Sequence, residues 1–159
     1  MLTYVRRLKE NYNHRMKYVF HITIAHNRND SRIFQRIVKS ISQRDYNVKL
    51  IVADGKGNES LKNIEIIDIA SDNTLFKIHF IKQIRIFSRL FNVKSILHFH
   101  EPILLPLAIT LKTFGNIVVF DMHENLHLQI ITKNWRIPKT IKIFIAKFYR
   151  HFENILLKF

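Results

Sequence analysis

The chain has 159 residues, which is enough for one domain but not for two complete ones. Its hydrophobic fraction of 47% and aromatic fraction of 12%, with only 3 glycines and 3 prolines, are typical of a folded protein and argue against a disordered or linker-rich chain. The absence of cysteine excludes disulfides, thiolate metal sites and a cysteine nucleophile, so we expect a reducing, cytoplasmic setting. The formal net charge of +14 predicts attraction to a polyanion.

Basic residues are concentrated at both ends of the chain, and residues 1–17 form a basic segment before the first predicted strand. This segment lacks a continuous apolar stretch, so it does not resemble a secretory signal. No run of about 18 apolar residues follows it, which argues against a transmembrane helix. We therefore expect a soluble or peripheral protein whose folded domain is residues 18–159. The excess of basic residues is compatible with two interpretations. They lie on ordinary solvated surfaces, or they form a surface that binds a membrane or a nucleic acid.

Strand and helix patterns alternate along the chain. Strands are predicted where β-branched and aromatic residues run together, at Tyr18–Ala25, Val48–Ala53, Ile64–Ile69, Ser95–Phe99 and Asn116–Phe120. Helices are predicted where apolar residues recur every three or four positions, at Ile33–Ile41, Leu75–Phe91, Leu104–Leu111 and from Pro138 to the chain end.

This alternation predicts the α/β class, with a single Rossmann-like domain whose open parallel sheet has about five strands and helices on both faces. The expected spatial order of the five predicted strands is 3-2-1-4-5. In such sheets, ligands bind outside the carboxyl ends of the strands, where the strand order reverses. We therefore expect functional residues beside the carboxyl ends of the first and fourth strands.

Three polar segments fall at that edge of the predicted sheet. HNRNDSR (26–32) follows the first strand, HFHEP (98–102) ends the fourth, and DMHEN (121–125) follows the fifth. Polar groups at buried strand ends need partners, so three such segments at one edge indicate a ligand site or a hydrogen-bonded network.

A metal site built from His98, His100, His123 and Glu124 is one interpretation of these segments, because His98 and His100 share one face of a strand. The four residues lack a compact ligand motif such as HExxH, and hydrogen-bonded histidines at strand ends are commoner than metal ligands. We therefore expect no bound metal.

Several other chemistries lack their motifs. There is no GxSxG elbow for a serine nucleophile, and neither GxGxxG nor GxxxxGK[ST] is present, so we expect no nicotinamide or ATP cofactor. The helix that begins near Ser31 could offer its amino end to an anion, with Arg28 and Arg32 nearby. Asp30 or Ser31 could equally serve only to cap that helix, and the sequence leaves both interpretations open.

Four segments, in this order, resemble the N-terminal domain of glycosyltransferase family 4. They are FHIT (20–23) leading to RNDSRIF (28–34), LIVADGKG (50–57), HFHEP (98–102) and VFDMHE (119–124). The resemblance is to enzymes of bacterial surface-polysaccharide assembly. It implies a GT-B enzyme, in which this domain binds the acceptor and a second one binds the nucleotide sugar, with retention at the anomeric carbon and no required metal.

The resemblance also implies roles for individual residues. His123 matches the histidine that lines the cleft near the transferred sugar, and we expect it to be catalytic. A neutral histidine suits this place, because it can offer a hydrogen bond to a developing oxocarbenium ion without competing as a strong nucleophile. Six expected substrate-binding residues lie in the loops that flank the acceptor or beside His123: Asp30, Arg32, His100, Glu101, Asp121 and Glu124.

The chain departs from the family in two ways. The loop after the first strand lacks the glycines that many members have there, and the chain ends at Phe159, before the donor domain would begin. We expect this half to be inactive alone, whether it is a fragment or pseudogene product, an excised domain or one subunit of a split enzyme. Its apolar final helix would either dock onto a partner or pack on its own sheet.

The expected partners are a saccharide or lipid-linked acceptor, a nucleotide sugar held by another domain or chain, and the anionic inner surface of the cytoplasmic membrane. A basic module that binds nucleic acid is disfavoured, because no RRM, KH or helix-turn-helix signature is present. A scaffold subunit that changes the activity of a partner is the remaining alternative.

Overall fold

The computed structural model describes residues 18–44, 46–70, 79–121, 126–132, 134 and 137–156. The basic segment predicted at residues 1–17 lies outside the described residues. The strands are β1 (Tyr18–Ile22), β2 (Asn47–Val52), β3 (Glu59–Leu61), β4 (Ile64–Asp68), β5 (Ile96–Phe99) and β6 (Ile117–Phe120). The helices are α1, which joins a π-helical stretch (Ile33–Val38) to one α-helical turn (Lys39–Ser42), then α2 (His79–Leu90), α3 (Leu105–Thr113), α4 (Leu126–Thr132) and α5 (Lys139–Leu156).

All six strands belong to one sheet, in the order β3-β4-β2-β1-β5-β6. Strands β4, β2, β1, β5 and β6 are parallel, which confirms the predicted α/β class and the order expected for the five predicted strands. The sixth strand, β3, runs antiparallel to β4 at the sheet edge and was not predicted. It has only 3 residues, all exposed, so it carries no apolar pattern.

Helices cover both faces of the sheet, as predicted. On one face the apolar core joins β1, β2 and β5 to α2 and α3, and includes Phe20, Ile22, Ile51, Ile86, Leu97, Phe99 and Leu111. On the other face α1 covers β2 and β4, with Ile33, Phe34, Val38, Val48, Leu50 and Ile66 in contact. Because β1 lies centrally, four of its five residues are buried, whereas the residues of the edge strand β6 are half-buried or exposed.

Local residue chemistry explains where the helices begin and end. Pro102 opens a 3-10 turn, Pro102–Leu104, that leads directly into α3, since a proline in a first turn loses no needed hydrogen bond. Gly115 follows α3 with φ of +85°, a conformation that glycine adopts without strain. Helix α4 was not predicted, because its 7 residues are too few to establish a helical period.

The apolar stripe of α5 faces away from the rest of the described structure. Phe144 and Phe148 are 72% and 67% exposed, and Ile141 is exposed as well. The buried side of the helix is formed instead by Lys142 and Ala146. The interpretation that this stripe packs on the protein's own sheet is therefore wrong for these residues.

No helix among the described residues combines the length and apolarity needed to cross a bilayer.

Replacement of Leu97 by alanine tests the central core. Leu97 is completely buried between β1 and β6, so Leu97→Ala should lower the free energy of unfolding by about 2 to 5 kcal/mol, measured by urea denaturation. Leu128→Ala is the matched control, since Leu128 is 50% exposed and its loss should cost about 0.5 kcal/mol or less. Equal losses for the two variants would contradict this core.

Candidate functional site

Described residues from three chain segments meet at the carboxyl edge of the sheet, where the strand order predicts a site: the loop after β1, His100 and Glu101 after β5, and Asp121 after β6. The backbone ladder extends past the strand ends, because His100 N–H donates to the Ile22 carbonyl (3.2 Å) and Asp121 N–H donates to the Phe99 carbonyl (2.9 Å). The segments after β1, β5 and β6 are thereby held side by side. Their polar side chains make the contacts described next.

Glu101 joins the loop after β5 to the loop after β1. Its carboxylate is almost completely buried and accepts hydrogen bonds from the Thr23 hydroxyl, the Ile24 N–H (3.2 Å) and the Ala25 N–H (3.5 Å). Burial raises the pKa of Glu101, while the hydrogen bond from Thr23 and those from the backbone lower it in part. The geometry gives Glu101 a positioning role at this edge, since its oxygens are already used by the protein.

His21, His98 and His100 form a cluster of imidazoles on one face of the sheet, which we call the histidine cluster. His21 of β1 lies opposite His98 of β5 in the parallel register, and the ring centroids are 4.9 Å apart. The rings of His98 and His100 are 4.4 Å apart, and Nδ1 of His21 lies 3.2 Å from Nε2 of His100. Three titratable rings are thus packed together beneath the edge.

The surroundings keep two of these rings neutral. Burial lowers the pKa of His21 to about 3, with further lowering by His98 and His100. Burial also lowers the pKa of His98, which the charge of Asp121 raises in part. A neutral imidazole has one donor and one acceptor nitrogen, so His21 and His98 can donate a hydrogen bond, accept one or bind a metal at neutral pH.

Asp121 connects the histidine cluster to the surface. Its Oδ2 lies 3.4 Å from Nδ1 of His100 and accepts a hydrogen bond from Arg32 at 2.7 Å. The charge of Asp121 therefore lies close to the ring of His100, whose other nitrogen, Nε2, faces Nδ1 of His21. Arg32 and Asp121, with side chains 31% and 27% exposed, are accessible from outside.

Asp30 shapes the turn that leads into α1. One of its carboxylate oxygens accepts hydrogen bonds from the N–H groups of Arg32 (2.9 Å) and Ile33 (2.8 Å), and the bond from Ile33 is the main reason that the pKa of Asp30 is lowered. The other oxygen lies 3.4 Å from the ring of His26. Asp30 thus accepts hydrogen bonds from N–H groups at the amino end of α1, as the capping interpretation expects, whereas Arg32, directly before the helix, makes no side-chain cap bond.

Arg28 lies inward, on the side of the loop away from Asp121. Its buried guanidinium binds Asp54 through two hydrogen bonds (2.6 and 2.8 Å) and also donates to Glu59 (3.1 Å) and the Gly57 carbonyl (2.8 Å). These bonds raise the pKa of Arg28 and lower the pKa of Asp54 to about 2. The arrangement braces the loop after β1 against the loop after β2, and it commits Arg28 to structure and not to an external anion.

The structure brings together five of the seven residues predicted for the site: Asp30, Arg32, His100, Glu101 and Asp121. The remaining two, His123 and Glu124, lie outside the described residues. His21 was missed, because it sits inside an otherwise apolar strand. The predicted strand order could have pointed to it, because β1 runs parallel to β5 and one of its residues must lie beside His98; that residue is His21.

Comparisons of the chain with family models, with curated proteins and with solved structures found no match.

The ion pair between Arg28 and Asp54 predicts acid sensitivity. The pKa of Asp54 is about 2 in the fold, below its ordinary value of 3.8, so its stabilising contribution is complete above about pH 4 and is lost as the pH falls through 2. Asp54→Asn should therefore lower the free energy of unfolding by about 2 to 3 kcal/mol at neutral pH. Urea denaturation should show this difference shrinking between about pH 4 and pH 2.

The matched control for this prediction is Glu65→Gln. Glu65 pairs with Lys49 at 2.6 Å, but its side chain is 49% exposed, and a pair of this kind should contribute at most about 1 kcal/mol. A loss for Asp54→Asn that is no larger than the loss for Glu65→Gln would show that Arg28 does not brace the loop.

Proposed function

We propose that this chain is the acceptor-binding half of a retaining glycosyltransferase, which holds a saccharide or lipid-linked acceptor at the carboxyl edge of the sheet. One observation carries the proposal. The loops after β1, β5 and β6 bring Arg32, His100 and Asp121 together at the switch point of a Rossmann-like sheet. The resemblance of the same loops to family 4 glycosyltransferases supplies the reaction class.

The accessible groups at this edge suit a sugar. A hexose presents neighbouring hydroxyls, each of which both donates and accepts a hydrogen bond. Asp121 accepts and Arg32 donates, while the half-buried, neutral His98 can do either. The contacts of Glu101 and Arg28 inside the protein hold these groups in place before a ligand arrives, which reduces the entropy lost on binding.

His123 lies outside the described residues, so the catalytic role that we propose for it rests on the family resemblance alone. By the family resemblance it would offer a neutral imidazole near the transferred sugar, with Glu124 and Asp121 as substrate-binding neighbours. The activated sugar would be held by a second domain or a separate chain. The proposal therefore assigns to this chain acceptor binding and one catalytic group.

Acceptor binding can be tested with the purified chain and a panel of bacterial-type saccharides as methyl glycosides, by saturation-transfer NMR. Arg32→Gln and Asp121→Asn should each weaken the binding of a retained sugar by about tenfold or more, since a hydrogen bond to a charged group contributes about 1.5 to 3 kcal/mol. Lys39→Gln, an exposed change on α1, is the control and should have no effect.

Two outcomes would contradict acceptor binding. One is unchanged sugar affinity in both variants of the pair Arg32 and Asp121. The other is an absence of sugar binding together with retention of single-stranded nucleic acid that falls steeply with salt, which would favour the nucleic-acid module. A scaffold subunit would change the activity of a partner while His123→Ala left that change unaltered.

We also propose that α5 places the protein on an anionic membrane, at the inner face of the cytoplasmic membrane. The stripe of Ile141, Phe144 and Phe148 is exposed, and Lys147, three positions after Phe144, is an exposed basic residue beside it. Lys139 and Arg150 are exposed basic residues on the other side of the same helix. A helix with an apolar face and adjacent positive charge binds the membrane interface, where each Lys or Arg adds about 1 kcal/mol.

Vesicle sedimentation tests this role of α5. The double variant Phe144→Ser and Phe148→Ser should bind vesicles of phosphatidylcholine with about one third phosphatidylglycerol at least tenfold more weakly, since each buried aromatic ring contributes about 1.5 to 3 kcal/mol. Ile84→Ser is the control, because Ile84 is 50% exposed on α2 and should not contact the membrane. The assignment would be contradicted if the double variant bound vesicles as tightly as wild type. It would also be contradicted if Ile84→Ser lost as much affinity as the double variant.

A further inference from the structure

The histidine cluster has a feature that acceptor binding does not use. His21 and His100 are buried, and Nδ1 of His21 lies 3.2 Å from Nε2 of His100. Each of the three rings offers one nitrogen within 4.8 Å of the other two, although the rings come from two different strands.

We propose that His21, His98 and His100 form a binding site for a transition-metal ion of borderline softness, such as Zn²⁺ or Co²⁺. The spacing of the rings supports this. Two imidazole nitrogens on a tetrahedral zinc ion, each at about 2.0 to 2.1 Å from it, lie about 3.3 Å apart. Nδ1 of His21 and Nε2 of His100 are 3.2 Å apart, which is close to that separation.

His98 completes the set and provides access. Its ring lies 4.4 Å from the ring of His100 and 4.9 Å from that of His21. The side chain is only half-buried, so it can turn toward an ion without disturbing the core. An ion would enter past this ring, because the other two are enclosed.

The residues around the cluster match those that support metal-binding histidines. A ligating histidine usually places its second nitrogen against a carboxylate, which fixes the tautomer and raises the basicity of the ring. Nδ1 of His100 faces Asp121 at 3.4 Å, and Asp121 is itself held by Arg32.

The donor set selects the class of ion. Three imidazoles suit zinc, cobalt, nickel or copper, whereas Mg²⁺ and Ca²⁺ require several oxygen ligands. Three protein ligands also leave a fourth position for water or a substrate group. The sequence argued against a metal because His98, His100, His123 and Glu124 form no compact ligand motif. The fold instead places His21, from the neighbouring strand, beside His98 and His100.

The experiment is a Co²⁺ titration of the full chain after removal of metals with a chelator, followed by the visible absorption of bound cobalt. The expected result is saturable binding of one ion per chain. His98→Gln should weaken it by at least about tenfold, and Asp121→Asn by about 10- to 100-fold through the orientation of His100. His151→Gln removes an exposed histidine on α5 and should leave the affinity unchanged.

His98→Gln is the main variant because its side chain is half-buried, whereas a change at His21 could prevent folding. Circular dichroism confirms that each variant is folded. No saturable binding at submillimolar Co²⁺, or equal affinity for wild type and His98→Gln, would overturn the proposal. Saccharide binding is measured separately in the presence of chelator, so failure of the metal site leaves the acceptor proposal standing, and the reverse is also true.

Discussion

The burial of one carboxylate, that of Glu101, is the constraint on which the functional edge of this domain depends. A buried carboxylate needs several donors, and here the donors come from the chain just after β1, at Thr23, Ile24 and Ala25. The loop after β1 is therefore tied to the loop after β5 before any ligand is present. On its other side the same loop is fixed by the bonds between Arg28 and Asp54. Glu101 and Arg28 together hold the loop that carries Arg32 in position.

The consequence is a graded electrostatic environment across the edge. His21 and His100 are buried, His98 is half-buried, and the ion pair of Arg32 and Asp121 lies at the surface, with Asp121 next to His100. Such a gradient offers a ligand charged hydrogen-bonding groups at the rim and uncharged donors or metal ligands deeper in. The proposed acceptor site and the proposed metal site use these two layers, and both depend on the same positioning of Asp121.

The sequence predicted the fold well, because buried parallel strands carry long apolar runs and their connections restrict the strand order. Strand β3 escaped prediction, since 3 exposed residues have no apolar period. Asp30, Arg32, His100, Glu101 and Asp121 were predicted for the edge, but His21 was not, because only the pairing of β1 with β5 reveals that it faces His98. The apolar face of α5 was also visible in the sequence. Periodicity shows that a helix has such a face, but not whether the protein's own core covers it.

Chemical-shift mapping on the ¹⁵N-labelled chain, titrated with a saccharide that it binds, tests the central claim that the carboxyl edge is the ligand site. The account predicts that the largest amide shifts fall in residues 23–32, at His100 and Glu101, and at Asp121. The turn between β3 and β4, from Leu61 to Ile64, lies at the opposite, amino-terminal end of β4 and should remain unperturbed. Shifts concentrated on that turn or on α5, with the carboxyl edge unperturbed, would contradict the account.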